Sequence, residues 1–469
     1  MAKRKDSRKR RRRPINGETL HKAVAWAIDK KIFAHLKPHG NTSWQVVDLI
    51  LLAVVWVWSD NGTLTGAFVE AHRWSSNVLG RAAVSSFQGL LKALVTWTAT
   101  LLPILMQGFH ALMEKYGGKH WRVGLWLALA VDGSRISVPR TKNNEGAFCA
   151  PNYGQSNTAK SRRKKKKNGK RVRAKAKNAQ PVKPQIWLTL LWHMGLHMPW
   201  SWKAGPSYSS ERDHFRQMLT EQEFPKNTLF CADAGFTGYE LWKTMMDAGH
   251  SFLIRVGANV KLLRKLGYCV REKEGIVYFW PDNAARKQQP PLILRLLRLQ
   301  VGKCTMCLVT NVLSDKKLSD RQAIRLYQLR WGVELQFRTV KQTFGRRKLR
   351  SRTAERAYVE LDWSLVGLWL IQLFAVKEQI EIGEVPEHCS VSLAIQAIRT
   401  MLQGWSERAE VSFAQKLQTA TKDSYNRKSS KEPRYKPEYK DKPAAGSPKV
   451  LTATRQHKAR LQKYLKTAA

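Results

Sequence analysis

The sequence predicts an α/β fold for the central part of the chain. Three apolar runs have the length and composition of buried strands: Leu125–Val131, Ile186–Trp192 and Thr228–Ala232. Ser209–Thr220 and Tyr239–Met246 have the spacing of short helices. Because buried strands alternate with helices, we expect one sheet with helices packed against it.

The region before these strands, residues 15–118, is predicted to be a helical domain. It is rich in Leu, Val and Trp, and Asn61–Thr63 is expected to separate two helices. Its apolar runs Leu49–Trp58 and Ala93–Met106 fall short of the roughly 20 residues that cross a bilayer. We therefore expect buried helices and no membrane span, and such a domain on a basic chain is a candidate for DNA binding.

The chain carries a formal net charge of +47, from 82 basic and 35 acidic residues. Much of this charge lies in three segments that are too polar to fold by themselves: a basic arm at 1–14, a loop at 155–182 and a tail at 421–469. The rest of the chain is basic too, so DNA is the expected partner and its binding should depend on salt. The alternative for each segment alone is a solvated tail without a binding role.

Cysteine usage indicates a reducing compartment. The six cysteines are few and scattered, and no secretory leader is expected after the basic arm, so the predicted location is a cytosolic compartment with reduced thiols. Cys304 and Cys307 form a single CxxC pair, for which packing in a strand is favoured over zinc binding. His193 and His197 lack the HExxH pattern, so a structural role is favoured for them as well.

Two of the predicted strands are followed directly by an aspartate. Asp132 follows Val131, and Asp233 follows Ala232. Sheets of α/β proteins carry their chemistry at the carboxyl ends of strands, so both carboxylates are candidate site residues. The alternative for Asp132 is a turn, because Asp-Gly is a common turn pair.

The stretch Ser319–Gly345 is predicted to form one long helix. Ser319 and Gln322 form a capping box, and Gly345 suits the C-terminal end. At about 100° per residue, four polar side chains fall on one stripe at the edge of the apolar face. They are Tyr327, Arg330, Glu334 and Lys341. A carboxylate held there between two cations indicates a metal or ligand site, and the alternative is an ordinary ion pair with Arg330 on a solvated face.

These motifs together resemble the DDE transposases of bacterial insertion sequences. The specific part is the Tyr, Arg, Glu, Lys spacing at positions 327, 330, 334 and 341, which defines the insertion-sequence-four family. The residues around Asp132 and Asp233 agree with it, and the resemblance covers about residues 125–352. Asp132, Asp233 and Glu334 are separated by two intervals of 101 residues, so only a fold could bring them together.

The resemblance implies a ribonuclease-H-like domain at 119–420, with a mixed sheet, helices on both faces and a β-rich insertion at about 257–312. The apolar helix predicted at Val359–Leu373 would close its core. Asp132, Asp233 and Glu334 would be catalytic and would hold two Mg²⁺ ions, for which Mn²⁺ can substitute. Two such ions support cleavage at transposon ends and strand transfer into target DNA without a covalent protein intermediate.

The resemblance also implies double-stranded DNA as the partner, both the terminal inverted repeats and the target, held by a dimer in the synaptic complex. Tyr327, Arg330 and Lys341 would hold phosphates near the transposon end. Trp331 would stack on a displaced base, although core packing is the favoured alternative for any one of the 18 tryptophans.

Two other functions stay open at this point. Members of this family commonly have Arg after the second aspartate, where this chain has Ala234. The chain could therefore be a transposase-derived DNA-binding protein without catalytic activity. The other alternative is a basic nucleic-acid-packaging protein without an active site, and the set of three acids argues against it.

Overall fold

The computed structural model of the protein describes two compact units. The described residues are 16–38, 40, 42, 44–80, 84–150, 165–167, 170–172, 183–268, 274–301, 304–403, 412–422 and 446–468. The helical unit comprises Met1–Gly117, Gln342–Arg346 and Glu355–Asp423, and the sheet unit comprises Gly118–Lys341, Arg347–Ala354 and Ser424–Ala469. The predicted basic arm at 1–14 lies outside the described residues.

The sheet unit is built on one ten-stranded mixed sheet. The described residues form twelve strands: β1 Leu127–Ser137, β2 Lys165–Lys167, β3 Lys170–Val172, β4 Gln185–His193, β5 Met198–Pro206, β6 Thr228–Ala232, β7 Ser251–Arg255, β8 Lys261–Arg264, β9 Ile276–Phe279, β10 Leu292–Val301, β11 Cys304–Thr310 and β12 Lys449–Thr452. The sheet order is β12-β8-β9-β10-β11-β7-β6-β1-β4-β5, and β2 and β3 form a separate hairpin inside the basic segment 155–182. Strands β8 to β11 lie in the segment predicted as a β-rich insertion, and they extend the same sheet.

Fourteen α-helices complete the described structure: α1 Asn16–Ala27, α2 Val46–Trp58, α3 Leu64–Leu79, α4 Phe87–Gly117, α5 Lys142–Phe148, α6 Glu211–Glu221, α7 Tyr239–Asp247, α8 Asp282–Arg286, α9 Asp320–Leu329, α10 Gly332–Arg338, α11 Ala354–Glu381, α12 Val391–Gln403, α13 Phe413–Gln418 and α14 Arg455–Ala468. The helical pattern predicted for the N-terminal region is present in α1 to α4, and the predicted break falls between α2 and α3.

Helices cover both faces of the sheet around β4. Thr189 points to α6, where its hydroxyl lies 3.1 Å from Nδ1 of His214. Trp192, three residues further along the strand, points to α10, where its ring edge approaches Gly332. Residues three apart in a strand point to opposite faces, so α6 and α10 lie on opposite sides of the sheet.

Asp132 lies in the middle of β1, and the prediction that it follows the end of a strand is wrong. The parallel pairing of β1 with β6 ends at the pair Ala130 and Cys231. The antiparallel pairing of β1 with β4 continues to Ser137, because β4 is long enough to accompany it. Asp132 therefore stands where the parallel neighbour stops, and Asp233 directly follows that neighbour, as predicted.

The stretch predicted as one long helix is divided into α9, α10 and a π turn at Thr339–Thr343. Between α9 and α10 the hydrogen bonds tighten to three-residue spacing, with Val333 N donating to Arg330 O at 3.1 Å. The break falls where Gly332 passes against Trp192, a contact that local sequence does not reveal. The predicted ends are confirmed, since Ser319 caps α9 and Gly345 has a positive φ of 65°.

Helix α11 belongs to the helical unit, so the prediction that Val359–Leu373 closes the core of the sheet domain is wrong. Its indole groups bond within that unit: Trp363 Nε1 donates to Thr98 Oγ1 at 2.9 Å, and Trp369 packs edge-on against Phe109. From the other side, Trp58 Nε1 donates to Gly367 O at 2.9 Å. A helix that is apolar on every side requires neighbours all around, and the N-terminal helices supply them.

The tail predicted to be disordered at 421–469 is structured over residues 446–468, so that prediction is wrong for this part. Strand β12 pairs in parallel with the edge strand β8. Helix α14 is held by the buried side chain of Leu461 and by an ion pair between Arg460 and Asp282 at 2.9 Å. A free sheet edge and one apolar anchor are enough to order a segment whose composition is basic.

Two helices in the described part of the chain are long and apolar enough to cross a bilayer by length and composition alone, Phe87–His120 and Ala354–Glu381. None was expected from the sequence, because the uninterrupted apolar runs are short and these helices continue beyond them. The most apolar window of Ala354–Glu381 is 94% buried inside the protein, and that of Phe87–His120 is 33% buried. Helices of buried cores pass the same test, so it is weak evidence for a membrane segment.

Candidate active site

Asp132 and Asp233 meet at the point where β6 ends beside β1. Asp132 Oδ1 accepts a hydrogen bond from Gly133 N at 2.8 Å, and Asp233 Oδ1 accepts one from Gly235 N at 2.8 Å. Asp132 pairs opposite Leu190, which places its side chain on the α10 face of the sheet. Each backbone bond fixes one carboxylate oxygen and leaves the other oxygen for a ligand.

Glu334 reaches this edge from the first turn of α10. Its Oε1 accepts a hydrogen bond from Nη2 of Arg330 at 2.9 Å. The guanidinium carbon of Arg330 lies 5.4 Å from the ring centre of Tyr327. The ion pair that the alternative predicted is therefore present, but Arg330 is only 8% exposed, so its guanidinium does not lie on a solvated face. The contacts from Tyr327 to Arg330 and from Arg330 to Glu334 are therefore kept, although a break separates α9 from α10.

The electrostatics place the three acids together. Burial raises the pKa of Asp132 to about 6, and the charges of Asp233 and Glu334 act in the same direction, against a hydrogen bond from Gly133 and the charge of Arg330. The charges of Asp233 and Glu334 therefore both act on Asp132, although 101 residues separate each of these acids from the next along the chain.

Arg330 has hydrogen-bond donors for which the described residues provide no acceptor. Burial opposes its charge, but Tyr327 and the bond with Glu334 outweigh it, and the net pKa of Arg330 lies above its usual value. Its Nε and Nη1 are buried and have no hydrogen-bond partner within the described residues. Unpaired buried donors are costly, so this guanidinium is suited to receive an anion such as a phosphate.

Lys341 and Trp331 occupy different environments at the same edge. Lys341 Nζ donates to Ser134 Oγ at 2.6 Å, and burial together with the charge of Arg347 lowers the pKa of Lys341. Trp331 is 54% exposed, so the favoured interpretation of core packing is wrong for this tryptophan. An exposed indole beside a buried guanidinium offers a surface on which a base can stack.

Glu211 is a fourth acid at the site, and the sequence analysis missed it. It is the first residue of α6, after the capping Ser210. Burial raises the pKa of Glu211 to about 7, and the charges of Asp233 and Asp132 add to the shift. The helix was predicted, but an acid in the first turn of a helix is common because it is favoured by the helix dipole, so no local pattern distinguishes Glu211 as a site residue.

The acids fit a divalent metal by their chemistry, since all offer carboxylate oxygens and no sulfur or imidazole competes. As the side chains stand, no group of three or more His, Cys, Asp or Glu residues in the described chain is arranged to hold an ion. The bond of Glu334 to Arg330 accounts for part of this, because it turns that carboxylate toward the guanidinium. Glu334 would have to exchange this partner for an ion.

The other candidates from the sequence are structural. His193 is fully buried, its Nε2 lies 3.1 Å from Trp121 O, and its Nδ1 accepts from Leu196 N at 3.0 Å. His197 packs edge-on against Trp192. Cys307 is a buried free thiol in β11, as packing in a strand requires.

Replacing Asp132 with Asn should stabilise the metal-free protein at pH 8 by roughly 2 kcal/mol, after allowance for solvent screening. The folded-state pKa of about 6 lies above the ordinary 3.8. Ionising Asp132 therefore destabilises the fold, and this cost appears as the pH rises from about 4 to about 6 and persists above. Urea denaturation in EDTA at pH 8 and pH 4 should show the gain at pH 8 only. An equal gain at both pH values would contradict the assigned environment.

The chain is similar to known transposases along its sheet-forming region. Residues 127–370, more than half of the chain, match the family model described as "Transposase DDE domain". Transposase InsG for insertion sequence element IS4 of Escherichia coli (strain K12) is 26% identical over 296 residues, which span 60% of this chain and 60% of that protein. A cryo-EM structure of a piggyBac transposase synaptic complex with hairpin DNA matches 88% of this chain and 84% of that chain at 11% identity, and its TM-score of 0.39 is too low to establish a shared fold. The chain therefore belongs to the DDE transposase family.

Proposed function

We propose that this protein is an enzyme that cuts DNA at the ends of its element and joins those ends to target DNA, with divalent metal ions as cofactors. The observation that carries the proposal is the meeting of Asp132, Asp233 and Glu334 beside Arg330, whose buried guanidinium has unpaired donors. A set of carboxylates next to a phosphate-binding cation is the chemistry that DNA phosphoryl transfer requires.

The strand arrangement supports a ribonuclease-H-like core. In the order β5-β4-β1-β6-β7, the first three strands are antiparallel and the last two continue in parallel with β1. This arrangement places Asp132 on the central strand and Asp233 at the end of its parallel neighbour. We infer that the strands β8 to β11 are the insertion between the second aspartate and Glu334.

Each side chain has a distinct part in the proposed reaction. Asp132, Asp233 and Glu334 would hold Mg²⁺ or Mn²⁺, which when bound would activate the attacking hydroxyl and stabilise the leaving oxygen. Arg330 would bind a phosphate of the transposon end, and Tyr327 would support it through their ring contact. Lys341 would hold the backbone from the Ser134 side, and Trp331 would stack on a base.

The partners and the location follow from the same proposal. Double-stranded DNA would be bound at the terminal inverted repeats and at the target, and the net charge of +47 favours both. Joining two ends requires two active sites, so we infer a dimer in the synaptic complex. The protein would act in the bacterial cytoplasm, at the nucleoid.

Excision from a donor plasmid tests the proposed function. The gene with its native flanking DNA would be expressed as wild type, Asp132→Ala and Asp233→Ala, with Asp213→Ala as a control because Asp213 is an exposed acid on α6. We expect both site variants to lose excision by at least about a thousandfold and the control to keep it. If the wild type is inert but binds the flanking ends, the binding-only function replaces this proposal.

Replacing Lys341 with Ala should weaken complexes with transposon ends more than complexes with unrelated DNA. The lysine is fixed against Ser134, so it contacts phosphates only when DNA lies in one register. Lys348→Ala is the matched control, because Lys348 is an exposed cation nearby. Binding measured across salt concentrations should show a slope lower by about one for each variant and a loss of end preference for Lys341→Ala only. Equal losses on both DNAs would make Lys341 part of a general basic surface.

A further inference from the structure

The glycines beside the two aspartates make room for the carboxylate of Glu211. A Cβ on Gly133 would lie 2.6 Å from Glu211 Oε2, and a Cβ on Gly235 would lie 3.1 Å from Glu211 Oε1. Neither glycine has a positive φ, so backbone conformation does not require glycine at these positions. The two glycines therefore form a cradle that holds this carboxylate next to both aspartates.

Glu211 and Glu334 approach this edge from opposite faces of the sheet. Glu334 is carried by α10, and Glu211 by the first turn of α6, on the other side. The charges of Asp233 and Asp132 act on Glu211, as the charge of Glu334 acts on Asp132. The two aspartates at the sheet edge thus stand between two glutamates.

The environment of Glu211 neutralises its charge poorly: the charge of Arg212 lowers the pKa of Glu211, but burial and the charges of Asp233 and Asp132 outweigh it. Within the described residues, its carboxylate has no hydrogen bond or ion pair, whereas Glu334 is bonded to Arg330 at 2.9 Å. A second observation points to a ligand at this place, because Arg330 is 8% exposed, has two unpartnered nitrogens and lies close enough for its charge to act on Asp132. A carboxylate held close to two others without a hydrogen-bond partner is costly unless a proton or a cation neutralises it, and a divalent cation can neutralise all three at once.

We propose that Glu211 is a fourth carboxylate of the ion site, and that it holds a divalent cation together with Asp132 and Asp233. This proposal rests on the proposed function, since it uses the same ions. It differs from the three-acid set implied by the sequence, in which α6 carries no site residue. Because Glu334 is bonded to Arg330, Glu211 would bind an ion before DNA arrives, once the carboxylates of Glu211, Asp132 and Asp233 rotate from their present positions toward it. Glu334 would join when a phosphate replaces it as the partner of Arg330.

Binding of Mn²⁺ to the full chain without DNA tests this proposal. Calorimetry would give the dissociation constant for the wild type, for Glu211→Gln, and for Glu221→Gln as control. Glu221 lies at the other end of the same helix and is paired with Lys203 at 2.5 Å. We expect Glu211→Gln to weaken Mn²⁺ binding by about tenfold or more and Glu221→Gln to match the wild type.

A merely structural role for Glu211 would change the melting temperature in EDTA but leave the Mn²⁺ dissociation constant within about twofold of the wild type. That result, or a wild-type chain that binds no Mn²⁺ without DNA, would overturn the proposal. If Glu211→Gln does not fold, Gly133→Ala keeps the charge, displaces the carboxylate and should weaken Mn²⁺ binding in the same way.

Asp132→Asn and Asp233→Asn separate this proposal from the proposed function. If both aspartate variants weaken Mn²⁺ binding and Glu211→Gln does not, Glu211 is not part of the ion site, and the site of Asp132, Asp233 and Glu334 remains the proposal. If none of the three changes Mn²⁺ binding and the aspartate variants still excise, both proposals fail together.

Discussion

Replacing Glu334 with Gln should abolish excision while leaving affinity for DNA nearly unchanged. Gln has the same shape, and its amide oxygen can still accept the hydrogen bond from Arg330, so the helix pair keeps its geometry. The substitution removes only the negative charge that would hold a metal ion. We expect excision to fall by at least about a thousandfold, as for other residues that act as one catalytic unit.

Affinity for DNA should change by less than about threefold, because one carboxylate contributes little to the field of a chain with a net charge of +47. Excision from a donor plasmid and a gel-shift titration with end DNA are the two measurements. Asp320→Asn is the matched control, since it removes one exposed acid from the start of α9. It should retain both properties.

The same variant decides what the Arg330 ion pair does. If the pair served stability alone, its loss would cost a few tenths of a kcal/mol and excision would continue. The burial of Arg330 already disfavours that role, because a desolvated guanidinium with two unpaired nitrogens is poorly stabilised by one carboxylate. Full excision by Glu334→Gln would remove Glu334 from the site.

The predictions from sequence succeeded where an element is determined by neighbouring residues or by a regular spacing of apolar and polar side chains. The apolar runs before Asp132 and Asp233 placed β1 and β6 within two residues of their observed starts, and Ser319 and Gly345 marked both ends of the helical stretch. The stripe from Tyr327 to Lys341 depends on a spacing that survives small changes of helical geometry. Such features follow from side chains close together in the chain.

The predictions from sequence failed where the structure depends on contacts between residues far apart in the chain. Asp132 lies in mid-strand because β4 accompanies β1 beyond the end of β6, and nothing near Asp132 reveals the length of that partner. Helix α11 was assigned to the wrong unit because an apolar helix fits any core. Glu211 was missed because its proximity to Gly133 and Gly235 exists only in the folded chain.

Replacing Gly332 with Ala should destabilise the sheet unit by about 3 kcal/mol, at the upper end of the usual cost of overpacking a core. The new Cβ would lie 1.9 Å from Cη2 of Trp192 and 2.4 Å from Cζ3. Trp192 is 1% exposed and packs against His197, so moving its ring would disturb a buried contact. We expect α10 to move away from Trp192 to remove this clash, and the movement would shift Glu334, two residues further along the helix.

Urea denaturation measures the stability of this variant, and Gly146→Ala is its control. Gly146 lies inside α5 with nothing within 4 Å of its Cβ position, so alanine there should be neutral or stabilising by up to about 1 kcal/mol. The double variant Gly332→Ala, Trp192→Leu should recover part of the lost stability, because the shorter side chain vacates the space that the new methyl group enters. If Gly332→Ala were as stable as the wild type, the close passage of α10 over Trp192 would not be what divides the helical stretch and positions Glu334.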